Sequence, residues 1–225
     1  MIIRQDDIRR SKRIYHWVVA AYIAGTLICA AVRFLQTKAI VPTVIVLLSL
    51  LYLLIMPLLF RILRLRPSYL LYAEFVIFVF LAFTLGVSLR WYTVIWWYDL
   101  FAHALSGSVF VMIGLCAFYM LQDDKGISPS HNGKTAVGFG FCFSMMCAAM
   151  WEIIEYTGFL LFGYDSQNVA ATGVGDTMED MMICLAGTVI TCILLAIHLY
   201  TKWKIPIFIA TDEFYRLNCG SREKK

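Results

Sequence analysis

Charge is what this sequence has least of. Lys, Arg, Asp and Glu make up 15% of its 225 residues, against about 25% in a soluble globular domain. A chain this poor in charge must turn much of its surface to lipid. No CxxC occurs, and the first six of the seven cysteines (Cys29, Cys116, Cys142, Cys147, Cys184, Cys192, Cys219) lie in apolar segments. That argues against a disulfide framework or a thiolate zinc site and for small buried apolar residues. There is no heptad run, no low-complexity tract and no convincing internal repeat. The basic residues fall at the ends of apolar stretches and form no separate polar face, so nucleic acid is not an expected partner. A basic start before an apolar run resembles a signal peptide. The run 14–32 is too long for a typical h-region, however, and no small-residue cleavage site follows it, so it reads as an uncleaved first span.

What is there is apolar. Hydrophobic residues reach 61% and the mean hydropathy is +0.75. Six stretches, about 14–32, 39–60, 69–89, 99–121, 135–162 and 176–200, each supply the roughly 20 apolar residues that a bilayer requires. The expected fold is all-α: a polytopic integral membrane protein with six transmembrane helices, forming a single domain over 1–225. Pro42 and Pro57 stand near the two ends of the second stretch, where a kink is tolerated. Trp91, Tyr92, Trp96, Trp97 and Tyr98 mark a membrane–water boundary. Placing segments 1–13, 61–68, 122–134 and the tail from 201 inside accounts for all 19 Lys and Arg except Arg33, Lys38 and Arg90. The positive-inside rule therefore predicts both termini on the cytoplasmic side of a plasma membrane.

Against this background a few ionisable residues stand out. WWYDLFAHALSG (96–107) holds Asp99 and His103, WEIIEY (151–156) holds Glu152 and Glu155, and GDTMED (175–180) holds Asp176 and Asp180. Members of each pair are three or four residues apart and share a helix face. The predicted topology brings all three pairs to the outer leaflet. A charge in the hydrocarbon core costs roughly 2.5–3.5 kcal/mol even on lenient scales, so such groups need partners. Ala102, Ser106, Gly107, Ser144, Ala148 and Gly187 lie on or beside the polar faces and allow close helix approach.

Carboxylates with one imidazole form a hard ligand set that suits Mn, Fe or Zn and, with fewer nitrogens, Mg and Ca. Glu152, Glu155 and Asp180 are the candidates for catalysis. Asp99, His103, Glu152, Glu155, Asp176 and Asp180 are the candidates for metal ligation. A metal there would neutralise the carboxylates and activate water, with a lipid or lipid-linked substrate reached from the bilayer. The same groups also suit proton or cation transport, or a purely structural role locking helices together. Asp176 with Glu179 fits a D-x-x-E capping box, and Asp99 is a further capping candidate. Glu74, one turn inside the third stretch, fits a carboxylate that snorkels to the interface or meets an Arg. Asp165 reads as a solvated turn residue. The oligomeric state has no signature in the sequence.

At these positions the chain resembles a known group. The order Asp99–His103–Gly107, then Trp151–Glu152–Glu155, then Gly175–Asp176–Asp180–Met181–Gly187 is similar to that of the bacterial membrane proteins grouped around YjdF. More loosely it looks like the VanZ-like proteins, although Cys184 stands where those tend to carry an Asn. The resemblance covers roughly 96–190, the expected functional half. It implies a multi-pass bacterial membrane protein.

Overall fold

The computed structural model describes residues 5–122, 127–128, 130–163, 165–167 and 169–220. Arg4, Lys125, Arg222, Lys224 and Lys225, which entered the charge count above, lie outside the described residues. Six helices are long and apolar enough to cross a membrane: Gln5–Thr37, Ile40–Ile62, Tyr69–Ser88, Tyr98–Leu121, Gly133–Phe162 and Gly175–Tyr200. Among the described residues there is no strand, only isolated bridges from Ser128 to His131 and to Asn132. All seven cysteines are free thiols. The first span, α1 (Gln5–Thr37), runs past the expected 14–32 at both ends. Hydropathy marks where lipid begins and ends, but helical hydrogen bonding continues into water.

The described residues divide into two compact units, one within 1–98 and 206–220, the other within 99–122 and 127–205. In the first unit the second span is interrupted. α2 (Ile40–Leu48) and α3 (Ile55–Ile62) flank a 3-10 stretch, Ser49–Leu54. Pro57 is the local cause, because it has no N–H for the carbonyl four residues back and its ring crowds that carbonyl. The buried Tyr22 hydroxyl donates to the Ser49 carbonyl at 2.6 Å, and the Ser49 hydroxyl donates to Val46 at 2.7 Å. The third span begins as α4 (Tyr69–Val79) and widens into a π stretch, Phe80–Ser88. A π stretch displaces carbonyls from their usual partners, and the Tyr98 hydroxyl donates to the Leu81 carbonyl at 2.8 Å. Trp91, which opens the short helix α5 (Trp91–Val94), packs edge-on against Tyr98. Trp96 is 85% exposed, as a residue of an interfacial belt would be.

The tail is not merely basic. Ile209–Asn218 forms a further helix, α10, with Ala210, Phe214 and Leu217 buried. These residues are spaced i, i+4, i+7 and build one apolar face. Phe214 packs edge-on against Phe60, and Phe60 against Tyr72. The Glu213 carboxylate accepts from the Ser68 hydroxyl at 2.9 Å and from Leu70 N–H at 3.0 Å. It thereby caps the start of α4, where Ser68 makes no cap of its own. Asn218 exchanges hydrogen bonds with the Arg66 backbone. Among the described residues Glu74 makes no ion pair with an Arg. It lies within electrostatic reach of Glu213, and its Oε2 is enclosed without a hydrogen-bond partner among the described residues.

The second unit is built from uninterrupted helices: α6 (Tyr98–Leu121), α7 (Gly133–Phe162), the short α8 (Val169–Thr172) and α9 (Gly175–Tyr200). α7 buries Gly133, Ala136, Gly140, Ser144, Ala148 and Glu152, small residues at near-fourfold spacing that lead along one face to a carboxylate. α9 buries Asp180, Cys184, Gly187, Thr188 and Thr191 on a matching face. α6 and α9 touch backbone to backbone. A Cβ on Gly187 would collide with the Ala104 carbonyl, and one on Gly107 with the Cys184 carbonyl. The Ser144 hydroxyl reaches the Gly107 carbonyl at 3.0 Å and the Thr188 hydroxyl at 2.7 Å, tying all three helices at one level. One turn on, the Thr191 hydroxyl lies 2.7 Å from that of Ser108. Such contacts replace the hydrophobic drive that is missing between helices in lipid. α7 ends at Gly163 in the left-handed region, φ 68°, which costs glycine no Cβ clash.

Candidate functional site

The start of α6, the last turns of α7 and the start of α9 all contribute to one end of the second unit. His103, in the second turn of α6, is the centre of the polar group there. Its Nε2 lies 3.5 Å from Asp99 Oδ1, one turn back on the same helix, and 3.6 Å from Asp180 Oδ2 on α9. One ligand atom from each of Asp99, His103 and Asp180 falls within 4.8 Å of the others. The Asp180 side chain is 6% exposed, that of His103 15% and that of Asp99 33%. The site therefore grades from a buried carboxylate to an accessible one.

The two glutamates of α7 complete the surroundings. Glu152 is 7% exposed and lies within electrostatic reach of His103 and Asp180. Glu155 interacts with Glu152, His103 and Asp99. Each glutamate is held by a neutral donor. The Gln167 side-chain amide reaches Glu152 Oε2 at 2.9 Å and the Glu152 carbonyl at 3.0 Å. The Trp151 side chain hydrogen-bonds Glu155, one turn away. Asp176 also acts on Asp180 electrostatically. All six sequence-predicted residues thus belong to one electrostatic neighbourhood, but only Asp99, His103 and Asp180 bring ligand atoms together. Between Arg90 and Lys202 the only Lys and Arg are Lys125 and Lys134. Neither falls in the segments that carry the acidic pairs.

One expectation is corrected here. The N-cap of α9 is Val174, whose side chain makes no cap hydrogen bond. Asp176 stands inside the first turn, its own N–H 3.4 Å from the Thr172 hydroxyl, so the D-x-x-E capping box does not form. Gln167 was not singled out from the sequence. It lies in a short polar loop with no periodicity, and nothing local marks an amide that will turn inward and become 95% buried. Asp165 is a turn residue as expected: its carboxylate accepts from Val169 N–H at 2.8 Å and Ala170 N–H at 3.0 Å. His198, at the far end of α9, is engaged in ending that helix, with Nδ1 accepting from Ile205 N–H at 3.0 Å.

The distances around His103 separate two kinds of contact. A charge-assisted N–H···O bond is about 2.7–2.9 Å long, and both His103 contacts are well beyond that. Ligands about 2.0–2.1 Å from a tetrahedral ion stand about 3.4 Å from one another. The two edges at His103 Nε2 are close to that spacing, and the Asp99–Asp180 edge lies within 4.8 Å.

Residues 14–201 match the family described as predicted membrane protein, DUF2238, and the chain belongs to that family. No curated protein and no solved structure matches it.

Proposed function

We propose that this DUF2238 member binds a divalent cation, Zn or Mn before Mg, through Asp99, His103 and Asp180, and uses it on an envelope lipid or lipid-linked molecule. The 3.5 and 3.6 Å spacings about His103 Nε2 carry the reading. Three protein ligands with a position left over is the pattern of catalytic rather than structural zinc sites. Glu152, Glu155 and Asp176 add further carboxylates to the surroundings of that set. A bound cation would activate water or polarise a phosphoryl or carbonyl oxygen. The graded exposure from Asp180 to Asp99 supports access from one side. Both termini lie in the cytoplasm and the site faces the outer leaflet of the plasma membrane, a placement supported by the Lys/Arg asymmetry. The motif order supports kinship with the YjdF-grouped proteins and, more loosely, with the VanZ-like ones.

The test is elemental analysis of detergent-purified protein by inductively coupled plasma mass spectrometry, wild type beside His103→Ala and Asp180→Asn. We expect near-stoichiometric metal in the wild type and its loss in both variants. A wild type that stays metal-free after Zn and Mn supplementation removes the reading and leaves proton-coupled flux as the next assay. Unchanged function in a Glu152→Gln, Glu155→Gln double variant, with only thermal stability altered, would favour a helix-locking role.

A further inference from the structure

We infer that Gln167 is a positioning residue that keeps Glu152 beside the cation-binding set and off it. The inference rests on the metal reading above and sharpens it. Glu152 is nearly as buried as Asp180 and interacts with both His103 and Asp180, yet it is not in the group whose ligand atoms fall within 4.8 Å of each other. Left to itself, a carboxylate within electrostatic reach of the cation would be drawn toward it, since opposite charges attract strongly where water is excluded. The Gln167 amide opposes this. Its two N–H groups engage Glu152 at two points, Oε2 and the backbone carbonyl, which fixes the carboxylate relative to its own helix. Gln167 is itself 5% exposed, so releasing Glu152 would strand a buried donor. The Asp165 carboxylate, clamping Val169 and Ala170 N–H, forms the turn that presents Gln167. A neutral amide cannot neutralise Glu152, but it can orient it. Glu152 is thereby reserved as an acceptor for a hydrogen bond or proton from the molecule bound at the cation. Outer partners of this kind orient the groups around metal sites and tune them.

The experiment is the visible absorption spectrum of Co(II) bound to the purified full-length protein, which reports coordination number and geometry. Glu152→Gln keeps an acceptor for Gln167 and is expected to bind Co(II) with the wild-type spectrum. Gln167→Leu is expected to change the spectrum as Glu152 joins the ligand set. Combining Gln167→Leu with Glu152→Gln is expected to restore the wild-type spectrum. A changed spectrum in Glu152→Gln alone makes Glu152 a ligand and overturns the inference, even if Gln167→Leu does not fold. A wild-type spectrum in Gln167→Leu overturns it as well. A wild type that binds no Co(II) removes the metal reading itself, and this inference with it.

Discussion

The two units pack helices under the same constraint, lipid on the outside, with different side chains. Spans one to three rely on rings. Tyr22 meets Phe80, Tyr52 meets Phe83, and Phe60 lies between Tyr72 and Phe214. Bulky rings hold the helices without requiring regular backbones, and this unit contains both the 3-10 and the π stretch. Spans four to six rely more on the absence of side chains, with Phe118 and Phe139 meeting as rings between α6 and α7. Glycines let α6 and α9 touch, and hydroxyls fill the seam. Close contact demands regular helices, and these three are uninterrupted. The unit with uninterrupted helices carries the acidic site, as expected if ligand groups must be held to within about 0.5 Å.

The comparison can be broken from either side, with two buried thiols as reporters: Cys29 in the ring-packed unit and Cys184 in the glycine-packed one. The largest effect is expected for Phe214→Ala, which removes a ring that is 2% exposed and should cost about 3–5 kcal/mol. Alkylation followed by mass spectrometry should then show Cys29 reacting before Cys184. Next is Gly187→Ala. It drives a Cβ into the Ala104 carbonyl, and overpacking of this kind costs about 1–3 kcal/mol. Here Cys184 should react first, with Cys29 still protected. The smallest is Ser144→Ala, which deletes one hydroxyl from the three-helix junction. Interhelical hydrogen bonds in membranes average about 0.6 kcal/mol, so thermal unfolding in detergent should move by only a few degrees. If Ser144→Ala matched Gly187→Ala, the hydroxyl seam would be holding the unit and the glycines would be secondary.

What was legible in the sequence follows from which signals act locally. The spans were, because twenty apolar residues in a row have few other uses. The acidic pairs were, because a carboxylate in such a run is conspicuous and its face follows from a spacing of three or four. The three-span convergence followed from topology alone. The breaks at Ser49–Leu54 and Phe80–Ser88 were not, because hydropathy is blind to which carbonyl an N–H chooses; only Pro57 hinted at the first. α10 was missed although Ala210, Phe214 and Leu217 mark an apolar face, because a short helix in a basic tail gives a weak periodic signal. Gln167 had no local signal, since its role exists only through Glu152, fifteen residues away.

The glycine seam also fixes alignment along the helix axis. Sliding α9 along α6 by one residue would bring a Cβ where only Gly187 fits against Ala104, or carry Gly107 away from Cys184. The two helices therefore engage like the teeth of a vernier, with one setting. His103 stands four residues before Gly107 and Asp180 seven before Gly187, so the setting that seats both glycines is the one that brings Asp180 to His103. The polar end inherits its alignment from a contact one to two turns away that carries no charge at all.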